Sequence, residues 1–128
     1  MACNGGYVLV VDDDVVIQQT LVDILGEDCG HNVKTASDGC EALGILASSP
    51  PPALVLVDLM MPRMDGAAFI ERKSAQLDLA RIPICVMTAS GRWDAEPRRL
   101  AAIATQDFSV LRKPFALEDL LTVVERYC

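Results

Sequence analysis

The segment Tyr7-Val-Leu-Val-Val-Asp-Asp-Asp14 holds a short, unbroken apolar run that ends abruptly in three aspartates. Apolar runs of this length that are rich in β-branched residues are typical of strands covered on both faces, as in parallel sheets. The segment Ala53-Leu-Val-Leu-Val-Asp58 repeats the pattern, and Ile82-Pro-Ile-Cys-Val-Met87 is a third such run. Pro83 stands near the start of that run, where a missing backbone donor is tolerated. The three segments predict the core of a parallel sheet.

Strands and helices alternate along the rest of the chain. Two weaker strands are predicted at 32–36 and 109–112. Apolar spacing predicts helices at 15–26, 66–77 and 116–127. A capping motif at Asp38 predicts one at 38–47, and Pro97, which suits a first turn, predicts one at 97–105. Such alternation indicates an α/β fold in which a parallel sheet lies between two helix layers. Because no change of composition divides the chain, we expect residues 1–128 to form a single domain.

Three of these helices carry distinctive local patterns. The first has an apolar stripe made of Val16, Ile17, Thr20, Leu21, Ile24 and Leu25. The third has a stripe made of Ala67, Phe69, Ile70 and Lys73. The second begins with Asp38-Gly-Cys-Glu41, a relative of the capping box, in which side chains accept hydrogen bonds from free backbone N–H groups.

Composition and charge exclude several classes of protein. Of the 128 residues, 52% are hydrophobic and 23% are charged, which excludes a disordered chain. The net charge of −7 disfavours direct binding to nucleic acid, because it repels phosphates. Apolar runs such as 53–57 are far shorter than the ~20 residues of a membrane helix, and no signal peptide is visible. Five scattered cysteines without a C-x-x-C pair favour reduced thiols in a cytoplasmic protein over a zinc site or disulfides.

Polar residues follow the predicted strands at the edge where parallel sheets bind ligands. The first strand is followed by Asp12, Asp13 and Asp14, and the third by Asp58. One aspartate after a strand is commonly a helix N-cap, and for Asp14 that interpretation has even odds. Several aspartates together repel one another unless a cation lies between them.

A set of oxygen ligands without histidine or cysteine suits Mg²⁺. We interpret His31 as a surface or turn residue, since it lies away from the strand ends. A carboxylate beside such a metal can attack a phosphoryl group and become an aspartyl-phosphate. Thr88 and Lys113, at the ends of the fourth and fifth predicted strands, would supply a hydroxyl donor and a positive charge. Water could later attack the phosphorus and reset the site.

Four segments in this order resemble the signature of response-regulator receiver domains. They are Val10-Val-Asp-Asp-Asp14, Val57-Asp-Leu-Met-Met-Pro-Arg-Met-Asp-Gly66, Met87-Thr-Ala89 and Lys113-Pro-Phe115. The resemblance covers essentially the whole chain. It implies a three-layer, flavodoxin-like (βα)5 fold with a five-stranded parallel sheet in the order 2-1-3-4-5.

The resemblance also implies a role for each matching residue. Asp58 would accept the phosphoryl group. Mg²⁺ would be held by Asp12, Asp13, Asp58 and the backbone carbonyl of Met60. Thr88 and Lys113 would contact the phosphoryl group, and a cis bond before Pro114 would direct Lys113 inward. Asp14 and Asp65 are expected to cap helices.

Two positions depart from the family pattern. Val110 stands where the family usually has the aromatic switch residue, and Phe108 has the same strand parity. Either a backbone rearrangement near the 97–105 helix carries activation, or the switch is weak. Met60 cannot orient a water molecule by hydrogen bonding, which predicts an aspartyl-phosphate that is not especially short-lived.

The resemblance implies a signalling domain that catalyses its own phosphorylation and dephosphorylation and is not otherwise an enzyme. Its partners would be a sensor histidine kinase or histidine phosphotransfer protein, and a downstream effector or output domain. No nucleic acid or membrane partner is expected, and a phosphorylation-linked homodimer stays open. Two alternatives are a phosphate-independent interaction domain and a small phosphohydrolase that uses Asp12 as nucleophile and Asp14 as acid or base.

Overall fold

A computed structural model describes residues 6–58, 66–76, 81–89, 108–113 and 115–127. The strands are β1 (Val8–Val11), β2 (Val33–Ala36), β3 (Leu54–Asp58), β4 (Ile84–Ala89) and β5 (Phe108–Lys113). The α-helices are α1 (Val15–Val22), α2 (Gly39–Ser48), α3 (Gly66–Ser74) and the C-terminal helix (Leu117–Tyr127). The helix predicted at 97–105 lies outside the described residues. No helix in the described ranges is both long and apolar enough to cross a membrane.

The five strands form one parallel sheet in the order β2-β1-β3-β4-β5, which confirms the predicted fold class. The strand ends differ from the predicted ones by one or two residues. Pro83 precedes β4 and still takes part in pairing, because its carbonyl accepts a hydrogen bond of 3.0 Å from the backbone N–H of Val55. The proline therefore costs the sheet a donor and leaves the acceptor in use.

Alternate strand residues pack into two apolar cores, one on each face of the sheet. On one face, β-strand residues such as Val11 and Val57 contact Ala42 and Leu46 of α2 and Phe69 of α3. On the other face, the core contains strand residues of opposite parity together with residues of α1 and the C-terminal helix: Val8, Val10, Leu54, Leu56, Leu21, Leu120 and Val124. Burial on both faces explains why the strands are apolar throughout.

The first helix differs from its predicted form in two ways. It is α-helical only to Val22 and continues as a π-helix over Asp23–Asp28, with an i to i+5 bond from Cys29 N–H to the carbonyl of Ile24. Val16, which we assigned to the apolar stripe, is 73% exposed, whereas Leu21 is buried. The helix turns about 100° per residue, so Ile17, Leu21 and Ile24 share the face that packs on the sheet core, whereas Val16 lies on a different face.

Lys73 lies on the stripe predicted for α3 and is fully buried, as are Phe69 and Ile70. Burial disfavours the charged ammonium and lowers the pKa of Lys73 from 10.5 to about 8. A lysine whose pKa is lowered by folding binds its proton more weakly in the folded state than in the unfolded chain. Its charge therefore costs stability below pH 8, and that cost falls as the pH rises toward 10.5.

We expect the stability of Lys73→Met relative to the wild type to fall as the pH rises into the alkaline range. The gap in unfolding free energy, variant minus wild type, should decrease by about 2 kcal/mol between pH 7 and pH 10, since one pKa unit corresponds to about 1.4 kcal/mol. Urea unfolding of both proteins at several pH values measures the gap. A gap that stayed constant or widened with pH would contradict the assigned burial cost.

Candidate functional site

The register of the sheet brings Asp12 and Asp58 together. The last register pair of β1 and β3 joins Val11 and Val57, so residues 12 and 58 stand opposite each other one step further on. Both continue the parity of Val10 and Leu56, which face the core under α1. Neighbouring strands lie about 4.8 Å apart, so aspartates at opposed positions on one face have adjacent carboxylates.

Asp13 completes a cluster of three acids, called the acid cluster below. One carboxylate oxygen from each of Asp12, Asp13 and Asp58 lies within 4.8 Å of the other two. Asp12 is fully buried, Asp58 is 7% exposed and Asp13 is exposed to solvent. The cluster is thus open on the Asp13 side and closed beneath. Such an arrangement can take a divalent cation from solvent and hold it against the end of the sheet.

The Asp12 carboxylate is oriented by the backbone that follows it. Its Oδ1 atom accepts a hydrogen bond of 2.9 Å from the N–H of Asp14. The N–H of Asp12 itself donates to the carbonyl of Ala36, at the end of β2, over 3.0 Å. The first contact lies within the turn from β1 into α1, and the second extends the pairing of β1 with β2. Together they fix the backbone at Asp12 and the position of its Oδ1 atom.

The remaining aspartates predicted as caps behave as caps where they are described. Asp14 is the N-cap of α1, and its Oδ1 accepts from Val16 N–H at 2.9 Å and from Ile17 N–H at 3.4 Å. Asp38 caps α2 through Glu41 N–H at 2.8 Å, and Glu41 reaches back toward the N–H of Ser37 at 3.4 Å. The even odds on Asp14 are resolved in favour of the cap. The phosphohydrolase alternative needed Asp14 in the cluster and loses its support.

The backbone places two further predicted site residues at the same edge. Thr88 and Lys113 stand at or next to the ends of β4 and β5, where Ala89 pairs with Lys113. Their side chains, and Met60, Asp65 and Pro114 as whole residues, lie outside the described part of the structure.

Two other residues singled out in the sequence are described. His31 follows the π-helix, is partly exposed and is not a member of the acid cluster, as expected. Val110 lies in β5 opposite Val86 and is partly exposed, so an aliphatic side chain occupies the position of the family's aromatic residue.

Sequence reasoning missed Gln18, on the second turn of α1. Its side-chain amide donates to the backbone carbonyl of Asp12, and it lies 3.2 Å from both the carbonyl of Ala36 and Oγ of Ser37. A glutamine on the polar side of a helix carries no signal of such contacts. The contacts of Gln18 arise because α1 lies beside the ends of β1 and β2.

Comparison with known proteins agrees with this arrangement. The family model described as the response regulator receiver domain matches residues 8–125. This chain belongs to the response-regulator receiver domain family. Receiver domains are signalling modules of two-component systems, and they typically use Mg²⁺. The acid cluster is a site that could bind such a cation.

Relatives of this receiver domain include longer response regulators. The response regulator MprA of Mycobacterium avium is 42% identical over 114 residues, which are 89% of this chain and 47% of that protein. MprA of Mycobacterium tuberculosis H37Rv is equally similar over 46% of its length. The chain thus spans about half the length of the MprA proteins it matches.

Solved structures show the same fold. The Vibrio cholerae chemotaxis protein CheY4 has a TM-score of 0.82 at 29% identity, over 96% of this chain and 98% of that one. NtrX from Brucella abortus has a TM-score of 0.81 at 30% identity, over 99% of this chain and 27% of that one.

Proposed function

We propose that this receiver domain takes a phosphoryl group from a phosphohistidine onto Asp58, in a Mg²⁺-dependent reaction, and that residues 1–128 act as one domain. The observation that carries the proposal is the acid cluster, in which oxygens from two different strand ends lie within 4.8 Å of one another. Three carboxylates gathered without a cation would repel one another, so their grouping favours a metal-dependent role. The match to the receiver family supports the same role.

Asp12, Asp13 and Asp58 would hold the metal, with the Met60 carbonyl as a further ligand by resemblance. The three residues fit Mg²⁺, because they offer hard oxygen ligands and leave an open side for water and a phosphate oxygen. When bound, the metal would neutralise charge on the phosphoryl oxygens during transfer. The exposed position of Asp13 leaves that side of the cluster accessible to a donor.

The transfer itself needs little covalent machinery. A carboxylate oxygen of Asp58 attacks the phosphorus, an O–P bond forms, and the P–N bond to the donor imidazole breaks. The nitrogen keeps the electron pair of that bond and is protonated. Asp58 is aligned for this step because β3 ends at it and because its nearly complete burial restricts its side chain. Hydrolysis by water later returns the carboxylate, so the domain catalyses both its phosphorylation and its dephosphorylation.

Thr88 and Lys113 would contact the phosphoryl group once it is on Asp58. We assign Thr88 to a phosphoryl oxygen and Lys113 to the phosphoryl group or Asp58, with Pro114 directing the lysine. Their backbone positions at the same sheet edge support this assignment. An added phosphoryl group brings about −1.5 to −2 charges, which would bias the surface formed by the 97–105 region and β5. That surface would contact an effector or output domain, or a second copy.

Beryllofluoride, which mimics an aspartyl-phosphate, tests the proposal directly. With Mg²⁺ present, amide NMR signals of Asp13, Asp58, Thr88 and Lys113 should shift in the wild type and stay unchanged in Asp58→Asn. Asp38→Asn is the matched control, because Asp38 is an equally buried aspartate outside the cluster. If beryllofluoride shifted none of these signals in the wild type, the result would instead support the phosphate-independent interaction domain.

The first turn of α1 offers exposed apolar side chains directly after Asp12, Asp13 and Asp14. Val15 and Val16 are 70% and 73% exposed there. Further along α1 lies an apolar groove of about 550 Å³, lined by Ile17, Thr20, Leu21, Ile24, Phe115, Leu117 and Leu120. We assign the first turn to a histidine kinase or phosphotransfer protein, because it directly follows Asp12 and Asp13 in the chain.

Val16→Asn should separate docking from chemistry. We expect transfer from a phosphorylated histidine phosphotransfer domain to slow about fivefold to tenfold, since interface anchors contribute more than about 1 kcal/mol each. Phosphorylation by a small donor such as acetyl phosphate should stay at the wild-type rate, because the substitution adds no charge and leaves the acid cluster intact. Equal slowing with both donors would show that Val16 supports the site and not the partner.

The domain would act in the cytoplasm. Among the described cysteines, Cys40 and Cys85 are free thiols, and Cys40 is exposed, which suits a reducing compartment. We expect no direct contact with nucleic acid or membrane, in keeping with the net charge of −7.

A further inference from the structure

The side chain of Gln18, on α1, forms hydrogen bonds that link the end of β1 to the end of the neighbouring strand β2. Its Nε2 atom donates to the carbonyl of Asp12, with the carbonyl of Ala36 and Oγ of Ser37 each at 3.2 Å. These acceptors belong to three places: the end of β1, the end of β2 and the loop before α2. The amide therefore joins segments that are far apart in sequence.

The Asp12 carbonyl is part of the peptide that leads to Asp13. Holding this carbonyl sets the plane of the peptide, and the plane sets the direction in which the chain carries Asp13. Asp13 lies between β1 and α1, is exposed, and belongs to neither element. The direction of its carboxylate thus depends on the peptide before it more than on side-chain packing.

The backbone of Gln18 is itself held in place by α1. Its backbone N–H bonds to the carbonyl of Asp14 over 3.0 Å, within the first turn that Asp14 caps. The amide is thus a donor fixed on a helix, and its bond to the Asp12 carbonyl adds to the contacts that Asp12 makes through its N–H and Oδ1.

We propose that Gln18 is a positioning residue that holds the Asp12–Asp13 peptide so that both carboxylates meet the metal. The inference rests on the proposed function, because it concerns the metal of that site. Groups that orient metal ligands commonly change affinity by about tenfold to a hundredfold when they are removed. For Gln18, which acts on the peptide and not on a ligand atom, we expect the lower end of that range.

Titration of the folded protein with Mg²⁺ alone, followed by NMR, tests this. Gln18→Met keeps the length of the side chain and removes the donor, and it should weaken Mg²⁺ binding about tenfold. Gln18→Asn keeps an amide, but on a side chain too short to reach the Asp12 carbonyl, and it should weaken Mg²⁺ binding by the same factor. It serves as the test if Gln18→Met folds poorly. Gln19→Met is the matched control, because the side-chain amide of Gln19 donates along its own helix, to Asp23 at 2.8 Å.

A second readout separates positioning from general stability. The carbonyl carbon signal of Asp12 should move in both Gln18 variants before any metal is added, and stay in place in Gln19→Met. If the wild type binds Mg²⁺ and Gln18→Met binds it equally well, the inference is overturned and the proposed function stands. If the wild type binds no Mg²⁺ at all, the proposed function fails, and the inference fails with it.

Discussion

An Asp58→Asn variant is expected to accept no phosphoryl group from acetyl phosphate, whereas the wild type gains one per chain. Asparagine keeps the size and shape of the side chain, but its amide is not a nucleophile. Asp58 is the last residue of β3 and is only 7% exposed, so the neutral amide should be accommodated without disturbing the strand. Intact-mass spectrometry with and without Mg²⁺ measures the uptake.

Asp38→Asn is the natural comparison for this experiment. Asp38 is a buried aspartate of similar exposure that caps α2, and asparagine caps helices about as well as aspartate does. This variant should be phosphorylated like the wild type. Uptake by Asp58→Asn at the wild-type rate would remove Asp58 from its proposed role. Phosphorylation found on Asp12 by peptide mass mapping of Asp58→Asn would assign the nucleophile to the first strand.

Asp13→Asn should change stability in opposite directions depending on the metal. Without Mg²⁺, the substitution removes one of three carboxylates that lie within 4.8 Å of one another, so unfolding free energy should rise. Solvent screens the exposed Asp13, which limits the gain to about 1 kcal/mol. With Mg²⁺ present, the wild type gains about 1.4 kcal/mol for each tenfold excess over Kd, and the variant should gain almost nothing.

Thermal unfolding at several Mg²⁺ concentrations measures both effects. Asp14→Asn removes the same charge one residue along the chain and keeps the N-cap of α1. It should retain the stabilisation by Mg²⁺ that Asp13→Asn loses. A loss of metal response in Asp14→Asn, with a normal response in Asp13→Asn, would contradict the acid cluster as the metal site.

Much of the fold follows from patterns that are short in sequence. The apolar runs 7–11 and 53–57 differ from β1 and β3 by a single residue at their ends, because burial on both faces requires apolar residues throughout. The Asp38-x-x-Glu41 motif became a helix start, because capping bonds join residues only three apart. The order of the strands follows from the receiver resemblance, and the sheet confirms it.

Other features depend on packing between segments. Val16 and Leu21 of the first helix are both apolar, yet Val16 is exposed and Leu21 is buried. Lys73 lies on the predicted stripe of α3 and is fully enclosed despite its charge. Helical spacing gives the face of a residue, and packing against other segments decides how completely that face is covered.

The acid cluster also depends partly on sequence patterns and partly on contacts between segments. Strand patterning alone puts aspartates after two buried strands, and composition alone supplies oxygen ligands suited to Mg²⁺. That Asp12 and Asp58 stand opposite each other on one face depends on the register between β1 and β3. That Gln18 reaches the Asp12 carbonyl depends on where α1 packs. Local propensity acts over a few neighbouring residues, whereas register and helix position arise from contacts across the whole sheet, and those contacts exist only once the chain has folded.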